Sequence, residues 1–211
     1  DRLSDDLALS LLTPLSTAQR SRLVAAMAEV ERLLRAASVE VRAEAPDSAA
    51  ARWCLQEYFQ ELAGRFDAGF DPAEGGFCDE EMTPPAGYFV VAWLDGDPAG
   101  CGGLRLGKEG AGEVKRIWTA PSARGLGIAR RVLGSLETRA REAGLTQLQL
   151  DTNRALHEAQ AFYRQEGYRE VARFNDNPYA HHWFEKRLRD AADDPVAPQV
   201  TERRAPDGCA D

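Results

Sequence analysis

Six consecutive residues, Arg124-Gly125-Leu126-Gly127-Ile128-Ala129, have the types and spacing to bind an anion. Glycines at 125 and 127 let the backbone approach a ligand closely and take dihedrals that a side chain forbids, and a helix starting just beyond offers unpaired N–H groups at its positive end. That combination suits a pyrophosphate. The hexad is neither of the common nucleotide loops: position 130 is Arg where Gly-x-Gly-x-x-Gly needs glycine, and no Gly-Lys-Ser/Thr follows. Another phosphate-binding α/β protein is the weaker alternative. Lys115, Arg116, Arg130 and Arg131 stand near Arg124 in sequence and are expected to crowd the loop with positive charge.

An anion cradle of this kind needs a strand before it and a helix after it. Residues 113–121 alternate in character, favour strand and end at Pro121, which cannot continue a ladder. Downstream, Ala129, Val132, Leu133, Leu136, Ala140 and Ala143 recur at helical spacing, and Gly144 stands where a C-cap belongs. Further strands are expected at 39–44, 87–94, 99–106, 147–151, 168–174 and 182–188, with a tight turn at 95–98. Further helices are expected at 48–66, with Leu55, Phe59, Leu62 and Phe66 on one face, and at 157–165, closed by Gly167.

Two motifs in this order resemble the GNAT superfamily of N-acetyltransferases. One is Arg124, Gly127 and Ala129 after the strand; the other is Ala159-x-x-Phe162-Tyr163-x-x-x-Gly167-Tyr168. Over residues 39–188 the resemblance implies an α/β protein with the acyl-CoA N-acyltransferase fold, a mixed sheet of about seven strands flanked by helices. It implies transfer of an acetyl group from acetyl-CoA, as co-substrate, to a primary amine by direct attack in a ternary complex. The amides of Gly125, Leu126, Gly127, Ile128 and Ala129, with Arg124, would hold the pyrophosphate. Backbone N–H groups at Ile117, Trp118 and Thr119 would bind pantetheine and polarise the thioester.

By the same resemblance Tyr163 gives a proton or hydrogen bond to the departing sulfur, a role fitting a phenol of pKa about 10 beside a thiol near 8.5; a core tyrosine is the other reading. Glu113 takes the place of a glutamate that deprotonates the amine through water, against a salt-bridged strand-end carboxylate. His181 and His182 are rival bases in the polar, aromatic connector 174–183. Asn153 contacts pantetheine or caps the next helix. The acceptor, a small-molecule or peptide amine, is not legible; Tyr58, Phe59, Glu80 and Glu81 are candidates to line its pocket.

The rest of the chain narrows the function class. With 34 acidic against 26 basic residues the net charge is −8, which disfavours a nucleic-acid surface and favours an amine. Four cysteines and three histidines show no metal-ligand spacing, so no metal is expected. No apolar run approaches a membrane span and no signal-peptide pattern precedes the fold, so a cytoplasmic protein without membrane contact is expected.

Residues 1–37 form a separate helical segment. Ser16-Thr17-Ala18-Gln19 reads as a capping box, and Leu23, Met27, Val30 and Leu34 follow at steps of four, three and four. The stripe either packs on the domain or makes a homodimer. Residues 3–35 also resemble the last helical part of MarR-type regulators, which implies a MarR fusion; a chain starting at Asp1 fits a piece of one. An acyl-CoA-sensing module of such a regulator is therefore the alternative function. No recognition helix is legible, so this chain alone is not expected to read DNA. Residues 189–211, acidic and Pro-rich without apolar periodicity, read as a disordered tail.

Overall fold

The computed structural model describes residues 10, 12–67, 69–75, 78–107 and 110–188. The tail 189–211 and Cys209 lie outside the described residues. In chain order the elements are α1 (Thr17–Ala37), β1 (Glu40–Ala43), α2 (Ala49–Arg65), β2 (Gly87–Leu94), β3 (Asp97–Leu106), β4 (Ala111–Thr119), α3 (Ile128–Glu142), β5 (Gln147–Thr152), α4 (His157–Gln165), β6 (Arg169–Val171) and β7 (His182–Arg187).

The strands form one seven-stranded sheet in the order β1-β2-β3-β4-β5-β7-β6. Every neighbouring pair is antiparallel except β4 and β5, which run parallel. β2 is apolar almost throughout because both sheet faces are covered there. On one face lies α3: a Cβ added at Gly102 would come within 2.7 Å of Val132. On the other lies α2, whose Cys54 thiol meets Cys101 and the Gly100 carbonyl. The β2–β3 hairpin closes on Asp95 and Gly96, both at positive φ (55° and 91°), the geometry of a tight primed turn.

The helix after the glycine loop follows the sequence pattern, since Val132, Leu133, Leu136 and Ala140 are all buried. Gly144 ends it at φ 79°, with the Gly144 N–H on the Arg141 carbonyl and the Leu145 N–H on that of Ala140. Periodicity did not reveal Glu137, buried among them and held by Lys186 at 2.7 and 2.9 Å and by the Tyr168 hydroxyl at 3.2 Å.

One strand is shorter than expected, and one of the two readings of the α1 stripe falls away. β6 stops at Val171, short of 174, because the chain beyond takes local side-chain hydrogen bonds in place of a ladder: the Asn177 N–H on Asn175 Oδ1, and the Tyr179 N–H on Asn177 Oδ1. α1 is capped as read, Ser16 and Gln19 exchanging bonds of 2.8 and 3.3 Å, but its stripe does not pack on the domain. No α1 residue is buried, and Leu23, Val24, Met27, Val30, Leu33 and Leu34 are all exposed. It meets the body near its C-terminal end, through Arg35 and Asp95 at 3.4 Å and an Arg32 bond of 3.0 Å to the Gly125 carbonyl.

Candidate active site

β4 and β5 pair over only three residues, from Ala111↔Gln147 to Glu113↔Gln149, and then part. Parallel strands that stop pairing leave backbone groups and a gap between them, and the site is built around that gap. At the same point β4 is bulged: Arg116 and Ile117 together face Gly102 of β3, and Arg116 sits at φ 58°. A bulge re-aims side chains and sharpens the local twist.

Two cavities meet there. An open groove of ≈ 580 Å³ runs along Trp118 and Thr119 to the glycine loop and the start of α3. A smaller chamber of ≈ 100 Å³ lies between α2, β4, β5 and the connector that carries Asn177 and Tyr179. Tyr58, Leu62, Ile117, Leu156, Ala159 and Tyr163 line both, so the cavities open into each other.

The groove fits an extended, phosphate-bearing ligand. Gly125 and Gly127 have φ of 81° and 75°, and a Cβ at either would point into open space. Glycine is thus required by the backbone conformation, while the space above the loop stays clear for a ligand at the helix N-terminus. Thr119 Oγ1 is buried without a hydrogen-bond partner, as expected of a group that a bound ligand would satisfy. Arg124 and Arg130 line the groove, Arg124 bonded to Glu61 at 2.6 Å and Arg130 to Glu166 at 2.7 Å.

The expected crowd of positive charge is smaller than the sequence implied. Arg131 turns to the Val39 carbonyl at 2.9 Å, and Lys115 and Arg116 face the chamber, because alternation and the bulge carry them away from the loop. Glu61 takes part instead, accepting from Trp118 Nε1 at 2.9 Å as well as from Arg124. Burial would raise its carboxyl pKa, but the hydrogen bonds from Trp118 and Arg124 outweigh burial and hold it below the usual range.

Tyr163 stands at the junction of the cavities, buried, with its ring 5.4 Å from Phe162 and 6.0 Å from both Tyr168 and Phe184. Its phenol pKa is pushed up, chiefly by burial and then by Tyr58 and Asp151, so the group keeps its proton at neutral pH. Tyr58, across the junction, is pushed up by burial in the same way.

The other expected residues are placed less directly. Ile117, Trp118, Thr119, Gly125, Gly127, Ile128 and Ala129 line the groove, while the Leu126 side chain is in the core. Asn153 lines the chamber, with both side-chain ends engaged: Oδ1 accepts from the Ala155 N–H at 2.9 Å, and Nδ2 donates to the Tyr179 carbonyl at 2.8 Å. Glu113 is buried behind the chamber wall, paired with Arg105, with Lys115 at 2.9 Å, and with Asn175 at 3.0 Å. His181 is exposed, and His182 bonds Glu170 at 2.6 Å, outside both cavities.

Asp151 was not singled out by sequence reading. Its side chain is 4% exposed, lines the chamber, and is bonded by Lys115, by Asn175 at 2.7 Å and by Asn177 at 2.8 Å. The signal was present in β5, where Leu148, Leu150 and Thr152 are the buried set and Asp151 belongs to the opposite face. The chamber's mouth is closed by Tyr179, whose hydroxyl donates to Glu74 at 2.8 Å and accepts from the Asp71 N–H at 2.9 Å.

This geometry has known relatives. An IAA acetyltransferase from Azospirillum brasilense is 39% identical over 101 residues, a stretch that is 47% of this chain and 65% of that protein, so less than two thirds of that relative is spanned. An acetyltransferase of the GNAT family from Staphylococcus aureus superposes with a TM-score of 0.63 at 17% identity, over 72% of this chain and 99% of that one. A GNAT family acetyltransferase from Elizabethkingia anophelis with acetyl-CoA bound does so with a TM-score of 0.52 at 14% identity, over 72% and 99%. At those identities the two structures show the shared fold. The model of the acetyltransferase (GNAT) family matches residues 49–168, more than half of the sequence, and the chain belongs to that family.

Proposed function

We propose that this protein moves an acetyl group from acetyl-CoA to a primary amine held in the chamber, by direct attack while both substrates are bound. The observation that carries the reading is the pair of cavities that meet at Tyr163. A groove with a glycine loop at one end suits a coenzyme, the chamber suits a small acceptor, and their junction is where a thioester and an amine would come into line. Acetyl-CoA would be held by the amides of residues 125–129, by Arg124 and along Ile117, Trp118 and Thr119; when bound it supplies the activated acyl group.

The chain's own groups then have separable tasks. Backbone N–H groups beside the β4 bulge polarise the carbonyl as negative charge grows on its oxygen. Tyr163, kept protonated by burial, gives its proton or a hydrogen bond to the leaving sulfur. Asp151, in the chamber wall, orients the ammonium, which passes a proton to water before the neutral amine attacks. Glu113 takes part by position: its bonds to Lys115 and Asn175 fix two of the three groups that hold Asp151.

The test is release of free thiol from acetyl-CoA across a panel of primary amines. Amine-dependent release that saturates with both substrates is expected. Tight CoA binding with no amine-dependent release would sink the transferase reading. It would favour a second one, an acyl-CoA-sensing module of a MarR-type fusion, for which the specific support is the Arg32 bond from α1 to the Gly125 carbonyl. In that reading the exposed stripe of α1 serves a homodimer.

A further inference from the structure

We propose that Arg116 receives a carboxylate of the acceptor, and that the acceptor is an amino acid with an apolar side group. This rests on the transferase reading and adds the substrate class. Arg116 is in the left-handed region at φ 58°, a conformation that costs a residue with a side chain about 1 kcal/mol or more and that glycine takes freely. The arginine side chain is the reason to look for a role. It is 12% exposed, lies over the Phe59 ring at 5.5 Å, and passes Met82 Sδ at 3.9 Å.

Its contact with Asp79 Oδ1 is 3.4 Å, and that carboxylate is 54% exposed just before the short turn Glu80–Met82. An arginine–carboxylate pair at its best is bidentate and about 2.7–2.9 Å. A carboxylate arriving from the chamber can make that shorter, two-pronged pair in place of Asp79.

The chamber's wall carries the complementary group for the other end of such a molecule. Asp151 is on β5 and Arg116 on β4, on either side of the gap where the strands part. Lys115, the third charged residue of the wall, is already paired with Asp151 and Glu113. A zwitterion matches this arrangement, ammonium toward Asp151 and carboxylate toward Arg116. A polyamine would bring its second cation against Arg116. The remaining wall, with Phe59, Leu62, Phe66, Phe70 and Tyr179, takes an aromatic or branched apolar side group. Phe70 and Tyr179 are 4.8 Å apart at the ring centroids and close that end.

The test compares L-phenylalanine and L-leucine with phenethylamine and isoamylamine, the same molecules without the carboxylate. Each is titrated calorimetrically into the protein saturated with CoA, and each is tried as acceptor in thiol release. The amino acids should bind at least tenfold more tightly than their decarboxylated partners. Arg116→Asn, with a residue that tolerates the left-handed backbone, should remove that preference while CoA still raises the melting temperature as in the wild type.

Asp79→Asn leaves Arg116 in place and removes one carboxylate that contacts it, so amino-acid binding should tighten severalfold. Equal binding of amino acid and amine, or an Arg116→Asn loss that falls on both alike, overturns the proposal and leaves the transferase reading standing. Amino-acid binding that depends on Arg116, with no thiol release, supports the carboxylate site and overturns the transferase reading.

Discussion

Tyr163→Phe separates chemistry from packing at the junction of the two cavities. The ring is buried among Phe162, Tyr168 and Phe184, and among the described residues the phenol oxygen makes no hydrogen bond to the protein. Removing it keeps every ring contact and orphans no partner, so the change in stability should be within about 0.5 kcal/mol. For a domain of this size that is a shift in melting temperature of about 2 °C or less. If the phenol donates to the leaving sulfur, its loss should lower kcat by about 10²–10⁴-fold, the usual range for a general acid. That is about 2.7–5.4 kcal/mol at 1.36 kcal/mol per tenfold. The assay is thiol release at saturating acetyl-CoA with the best acceptor of the amine panel, beside thermal melts with and without CoA. A variant that melts like the wild type, gains the same stability from CoA and turns over within threefold of the wild-type rate would refute the role given to Tyr163.

Three further outcomes follow from the geometry. Gly127→Ala meets no steric clash, yet places a Cβ at φ 75°; it should lower stability by about 1–2 kcal/mol in urea unfolding and diminish the rise in melting temperature produced by CoA. Glu61 has its pKa depressed in the fold, so its contribution is present above the unfolded-chain value of about 4.3 and is lost as pH falls through the folded value. Glu61→Gln should therefore lose less of its urea midpoint than the wild type between about pH 6 and pH 3, and an identical acid profile would count against the Glu61–Arg124–Trp118 cluster. Among the described residues, deleting 1–37 removes none that is buried, so melting and CoA binding should persist, while a homodimer built on the α1 stripe would become a monomer by light scattering.

The sequence placed the sheet, its helices and the loop well, because those depend on local signals: the apolar period of α3, the glycines at 125 and 127, and the capping box of α1. What it could not place depends on register. Lys115 and Arg116 are close to Arg124 in sequence, but the parity of β4 and its bulge carry both to the chamber. Asp151 and Glu113 look alike as carboxylates near strand ends. One lines a cavity and the other lies behind it, a distinction made by how far β4 and β5 stay paired. The α1 stripe shows the reverse failure: its period is clear, yet period says only that a face is apolar and not what covers it.

The short β4–β5 pairing has one more consequence. The sheet is two antiparallel ribbons, β1-β2-β3-β4 and β5-β7-β6, sewn together over three residues, Ala111 to Glu113 against Gln147 to Gln149. The ladders on either side of the seam, β3–β4 and β5–β7, are both longer, so the seam is a line along which the centre of the sheet opens with less loss than at its neighbours. Amide hydrogens should accordingly fall into two protection classes that exchange as blocks, one per ribbon, with the seam amides following the less stable block. A ligand that touches both ribbons across the gap would merge the two classes into one.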